Sequence, residues 1–203
     1  MHGQENAFSK RLNYARSRAR WLTMSEQRST KKPTLVLIDI QQEYISPGSP
    51  FHLDGILPSL ENCRLILAYA RQEKWPILHV QHVTNGSVFS GQRAQFIEGF
   101  APAADEPVFQ KSQTSPYTNE AFKSAMLSAK ESEALIIGYG STQCCMSTVI
   151  SGAAIGLRHS FVKDASWART LADDISEAQA HRHATAIIGI HGNIRTTEEV
   201  LAM

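Results

Sequence analysis

From Pro33 onward, short apolar runs alternate with longer stretches whose apolar residues recur at helical spacing. The run TLVLID (Thr34 to Asp39) is continuous and aliphatic, the pattern of a strand buried on both faces. Ile56 to Arg71 carries Leu57, Leu60, Leu65, Ile66, Leu67 and Tyr69 at helical spacing, with Pro58 where a first turn tolerates it. PILHVQHV (Pro76 to Val83) predicts a second strand, Glu106 to Gln110 a weak third, ALIIGYG (Ala134 to Gly140) a fourth and HSFVKDA (His159 to Ala165) a fifth. Helices are predicted at about Asn119 to Ala129, Ser147 to Gly156 and Asp174 to Ile188. A short segment, Asn193 to Arg195, leads into TTEEVL, where Thr196 and Glu199 have capping-box spacing.

Strands that alternate with helices of this length imply βαβ units. The expected fold is α/β: a three-layer sandwich, with a mainly parallel sheet of about six strands and helices on both faces. In such sheets ligands bind beyond the carboxyl ends of the strands, near the point where strand order reverses. The residues just after each strand are therefore the ones to read for chemistry. Two long loops, Gln41 to Gly55 and His82 to Pro107, add to that expectation, because long loops in a small domain are more often functional than idle.

Three strand ends carry chemistry-bearing side chains. The first strand ends in Asp39, a lysine (Lys111) follows the third, and Gly138-Tyr139-Gly140-Ser141-Thr142-Gln143-Cys144-Cys145 follows the fourth. A thiol at the start of a helix feels free N–H groups and the positive end of the dipole, which favour the thiolate. Each residue also has a plain structural role open to it. Cys144 could be a buried small hydrophobe, Asp39 could close a turn or cap a helix, and Lys111 could be surface charge.

Composition narrows the class. The 203 residues suit one α/β domain rather than two cores, and the net charge of +1 gives no bulk attraction to nucleic acid or to a membrane. No apolar run is long enough to span a bilayer, and the N-terminus lacks the apolar core of a signal peptide. Three cysteines, Cys63, Cys144 and Cys145, make a poor disulfide framework and point to a reducing, cytoplasmic setting. Lys10 to Trp21, KRLNYARSRARW, is basic and could serve as a nucleic-acid arm, a membrane-surface helix or a targeting peptide. Termini usually stay disordered unless tied down. Residues 1–30 are therefore expected to be a disordered extension, with Met24 a second place to start, and residues 31–203 to be the domain.

From Thr34 to the end the chain resembles the isochorismatase-like cysteine hydrolases, which include nicotinamidases, carbamoylsarcosine amidases and ureidoacrylate or biuret amidohydrolases. LVLIDIQQEY resembles the family's opening strand, QKSQTSPY its lysine segment, GYGSTQCCMST its nucleophile segment and VKDAS the strand-end Asp-Ala that follows. The closing RTTEEVLA is similar too. The resemblance implies a hydrolase of a small amide, carbamoyl or ureido compound that works through a thioester. Cys144 would be the nucleophile, Asp39 the base and Lys111 the supporting cation. It implies a cis peptide at Tyr139-Gly140, with the N–H groups of Gly140 and Cys144 forming an oxyanion hole. It also implies a homo-oligomer, dimer or tetramer, with a small-molecule substrate and no cofactor.

Gln41, Tyr44, His82, Tyr117 and Trp167 are the candidate substrate contacts. His82 could equally be a solvated loop residue, and Trp167 could pack under a loop. Cys145 stands where the family has an aliphatic residue and is expected to pack away from the pocket. The nicotinamidase metal motif is absent. His79 and His82 would face opposite sides of a strand, so no metal is expected. His181 and His183 are expected at the surface. Two alternatives stay open: vinyl-ether hydrolysis, whose enzymes commonly lack the cysteine, and a non-catalytic protein that uses Cys144 and Cys145 for redox sensing or the fold for binding.

Overall fold

β1 (Thr34–Ile38) sits at the centre of the sheet because every one of its five residues is buried. Its side chains alternate between two cores. Leu35 and Leu37 enter one, and Val36 and Ile38 enter the other. The structure, a computed structural model, describes residues 31–86 and 88–203. The basic stretch and the expected extension therefore lie outside the described residues. Around β1 are added β2 (Ile77–His82), β3 (Val108–Lys111), β4 (Ala134–Tyr139), β5 (His159–Trp167) and β6 (Asn193–Arg195). All neighbours pair in parallel, in the order β3-β2-β1-β4-β5-β6.

The helices cover both faces, which makes the three layers expected from the sequence. On one side lie α1 (Leu57–Gln72) and the short α5 (Thr197–Leu201), packed on Leu35, Leu37, Leu135 and Ile137. On the other lie α2 (Glu120–Ser128), α3 (Met146–Ala154) and α4 (Glu177–His191), which supply Phe122, Met126, Val149 and Ile188 to the second core. Burial of each such large side chain contributes about 2 kcal/mol. The α1 face is Leu60, Cys63, Ile66, Leu67 and Ala70, whereas Leu57 and Leu65 are exposed. The small Cys63 and Ala70 complete a stripe that the large residues alone had placed slightly out of phase.

Several boundaries differ from the sequence pattern, each for a local reason. β3 ends on Lys111 itself rather than before it, and Glu106 is drawn off the strand by Arg71 and the N–H of Ala103. β5 runs on to Trp167, and its pairing with β4 shifts register between Ile136 and Gly138. α4 begins at Glu177, not Asp174, because Ser176 and Gln179 form a reciprocal capping box. The box at Thr196 and Glu199 opens α5.

Strand order reverses between β1 and β4, so the carboxyl ends of these two strands flank the switch point. Their close approach there depends on Gly138, whose φ is +108°. A Cβ at that position would fall 2.1 Å from the carbonyl oxygen of Ile38.

Candidate active site

Asp39 leaves β1 in a left-handed conformation (φ 50°), which Asp tolerates better than most residues with a Cβ. Its N–H still donates to the Val80 carbonyl (3.0 Å), so the chain turns only after the ladder is satisfied. The carboxylate is fully buried. Oδ2 accepts from Lys111 Nζ at 2.7 Å, and Oδ1 has no hydrogen-bond partner among the described residues. A buried, unmatched acceptor beside a thiol is placed to take that thiol's proton.

Lys111 closes β3, and the parallel register sets it directly beside His82 of β2. Its ammonium donates to Asp39 Oδ2 (2.7 Å), His82 Nδ1 (2.9 Å) and Cys144 Sγ (3.3 Å). Burial works against the charge on Lys111, but the Asp39 carboxylate and the Cys144 sulfur outweigh it and hold the ammonium protonated. Asp39, His82 and Cys144 form the only cluster of metal-capable groups among the described residues, with ligand atoms within 4.8 Å of one another. The ammonium sits among all three, so a metal ion would have to displace it. His79 turns the other way, as its strand position requires, and bonds Glu106 Oε2 at 2.8 Å.

Cys144 lies in a wide helical turn, Ser141–Cys145, between β4 and α3. The peptide between Tyr139 and Gly140 is cis. The turn is fixed by N–H donations from Gln143 and Cys145 to the Gly140 carbonyl. It is fixed also by the hydroxyls of Ser147 and Thr148, which donate to the Cys144 carbonyl at 3.1 and 2.6 Å. The expected lowering of the thiol pKa is not what this environment produces. Burial and the adjacent Asp39 carboxylate push it up to about 12, against the pull of Lys111. The reason is burial: Cys144 is almost sealed from water beside a carboxylate, and the cost of an ionised sulfur there outweighs what the helix start behind it can offer. The resting sulfur is a thiol, and it needs a base. Cys145 points into the second core near Ser166 Oγ, 3.8 Å away.

The five candidate substrate contacts fall in different places. Gln41 is buried, and its amide is spent on backbone: Nε2 donates to the His82 and Ala94 carbonyls, and Oε1 accepts from the His82 N–H. Tyr44 packs among Phe51, Phe89 and Tyr139. Its hydroxyl pKa is driven well up by burial and by the neighbouring Cys144 sulfur and Asp39 carboxylate. His82 stacks on Phe89 at 4.7 Å and bonds Lys111. Tyr117 packs on Phe122 and its hydroxyl bonds His159 Nε2, between α3 and β5. Trp167 donates through Nε1 to Glu177 and stacks on His181 at 5.0 Å.

Other residues emerge only from the structure. His181 is half-buried rather than on the surface: Nδ1 meets Ser141 Oγ at 2.9 Å and Nε2 meets the Lys163 carbonyl at 2.8 Å. It thereby holds the first residue of the nucleophile turn from behind. Its phase with Ala184 and Ile188, the buried positions of α4, was the available signal. His183 is exposed, as expected. Glu43 is a buried carboxylate that accepts from Ser49 Oγ and from the Phe89 N–H, and no periodicity in a loop could have revealed it. Arg169 lies 4.9 Å above the Phe51 ring, and no carboxylate pairs with it among the described residues.

A thiol-bearing turn after β4, with a lysine and an aspartate brought to it from β3 and β1, is the arrangement a cysteine hydrolase on a parallel α/β sheet requires. The comparisons agree. The sequence profile of the Isochorismatase domain matches residues 33–198, and the chain belongs to that family of hydrolases. It is 27% identical to the isochorismatase family protein YddQ of Bacillus subtilis over 82% of this chain and 97% of that one. It is 23% identical to the maleamate amidohydrolase of Pseudomonas putida, over 66% of this chain and 71% of that one. Among solved structures, an isochorismatase from Pseudomonas putida KT2440 superposes with a TM-score of 0.77 at 28% identity, covering 88% and 95% of the two chains.

Proposed function

We propose that this protein hydrolyses a small amide, carbamoyl or ureido compound at its C–N bond through a thioester on Cys144. The observation that carries this reading is the Lys111 ammonium bonded at once to Asp39 and Cys144, with the second Asp39 oxygen unpartnered beside a thiol held at about 12. As Sγ attacks the carbonyl carbon, the thiol proton passes to Asp39. The N–H groups of Gly140 and Cys144 receive the developing oxyanion. Asp39 then returns the proton to the leaving nitrogen, and the C–N bond breaks to leave a thioester. Water, deprotonated by Asp39, cleaves the thioester and regenerates the thiol.

The maleamate amidohydrolase relative supports an amide over a vinyl ether as substrate. So does the presence of the cysteine, which vinyl-ether hydrolysis does not need. Arg169, over the Phe51 ring that packs edge-on against Tyr44, is a positive charge that would suit an anionic substituent on a small substrate. The three free, buried thiols suit a reducing compartment, and no helix among the described residues is long and apolar enough to cross a membrane.

The test is ammonia release from a panel of small amides, with and without a carboxylate. Cys144→Ala is expected to abolish turnover and Cys145→Ala to retain it. Equal turnover by the Cys144→Ala protein would remove the thioester mechanism.

A further inference from the structure

An ammonium has three protons, and that of Lys111 has three acceptors: Asp39 Oδ2, Cys144 Sγ and His82 Nδ1. Two of these are the proton-transfer partners of the proposed reaction. The third has no place in it. A buried ammonium whose third N–H lacked an acceptor would carry a desolvation penalty and would be free to rotate away from the sulfur. We propose that His82 is a positioning residue that fixes the Lys111 ammonium against Cys144 by accepting its third hydrogen bond, and that it can do so only as the neutral imidazole with its proton on Nε2. The proposal rests on reading Lys111 as the cation that supports Cys144.

The surroundings of His82 are built for that role. Gln41 grips both backbone groups of His82, its N–H at 2.7 Å and its carbonyl at 2.8 Å. Phe89 covers the ring at an interplanar angle of 31°. The register β2–β3 places His82 and Lys111 opposite each other on one face of the sheet. The charged and titratable groups facing the imidazole are Lys111 from β3, Asp39 from β1 (Oδ2 at 4.0 Å from Nδ1) and, beyond the ammonium, Cys144. Burial and then the Lys111 charge hold the imidazole below its ordinary pKa, against the pull of Asp39. Protonation would put an N–H on Nδ1 against the ammonium, 2.9 Å away, and one of the two cations would have to move.

Two measurements on the full chain test this, and neither needs a substrate. The first is the rate of Cys144 carboxamidomethylation by iodoacetamide, read by peptide mass spectrometry from about pH 5 to about pH 9. Cys63 and Cys145, both 0% exposed, serve as internal references. His82→Leu removes the acceptor and should change the Cys144 rate downward by about tenfold, the scale of one hydrogen bond to a charged group. His82→Asn, whose Oδ1 can stand in for Nδ1 but does not titrate, should restore the rate to within about threefold and remove only that part of the acid fall that is steeper than the thiol's own loss of about tenfold per pH unit.

The second is the His82 titration by NMR. Its pKa should lie below that of a free imidazole in the wild type and rise in Lys111→Met, where the cation is gone and Asp39 remains. A wild-type alkylation rate in His82→Leu would overturn the proposal. So would a His82 pKa that does not move in Lys111→Met. Failure of every amide to turn over would instead sink the amidase reading while leaving these two results interpretable.

Discussion

Replacing Lys111 by Met leaves the Asp39 carboxylate fully buried, without its cation and with neither oxygen satisfied. At 2.7 Å, two unit charges attract by about 6 kcal/mol at an effective dielectric constant of ~20. Desolvation of both ions offsets most of that, so the pair itself is worth little beside a well-packed apolar replacement. Removing only the lysine is different, since it strands a charge and costs about 3–5 kcal/mol. Urea unfolding at about pH 8 should show a deficit of that size in Lys111→Met. A lone buried carboxylate is relieved by taking up a proton, so its penalty applies at high pH and shrinks as the pH falls. The deficit should therefore narrow at about pH 5. Adding Asp39→Asn to Lys111→Met removes the stranded charge and should recover at least about 2 kcal/mol at pH 8. If the single variant unfolds within about 1 kcal/mol of the wild type, the reasoning fails. It fails equally if the double variant is no more stable than the single one.

Gly138→Ala should destabilise the fold by more than about 3 kcal/mol and abolish activity, because its Cβ meets the Ile38 carbonyl in a left-handed backbone; thermal unfolding measures it. Glu106, gripped by Arg71 in a bidentate pair and held down to about 2, stabilises the fold fully above pH 4.5 and progressively less as the pH falls toward 2. Glu106→Gln should cost about 2 kcal/mol at neutral pH and flatten that acid limb, read by urea midpoints across the range.

The fold was legible because burial pattern and period agree along most of the chain. TLVLID, ALIIGYG and the helical stripes between them need only local counting, whereas the strand order, with its reversal between β1 and β4, is set by pairings distant in sequence. What local counting misplaced was decided by individual side-chain contacts, one of them distant in sequence and one within a single turn. Glu106 left its strand for Arg71, and α4 waited for the Ser176 cap. The placing of Asp39, Lys111 and Cys144 together was legible from strand ends and resemblance. The charge state of the thiol was not, because burial and the closeness of the Asp39 carboxylate depend on everything packed around the sulfur. His82 beside Lys111 required the register of two strands, one of them only four residues long. His181 required knowing which flank of α4 meets the nucleophile turn.

The two long loops are stitched to each other before either reaches solvent. Gln41 bonds His82 and Ala94, Gln42 N–H bonds the Gln95 carbonyl, Ile97 N–H bonds the Ile40 carbonyl, and the Glu43 carboxylate spans from Ser49 to Phe89. Glu177 then ties the end of the first loop, at Asp54 and Gly55, to Trp167. Such loops cannot be inherited or exchanged one at a time. A chimera carrying a relative's first loop alone would leave the buried N–H of Phe89 without the Glu43 carboxylate, whereas a joint exchange keeps the stitches whole. Divergence in this scaffold is then expected to move in pairs, with a change near Gln41 or Glu43 answered by one between His82 and Ile97.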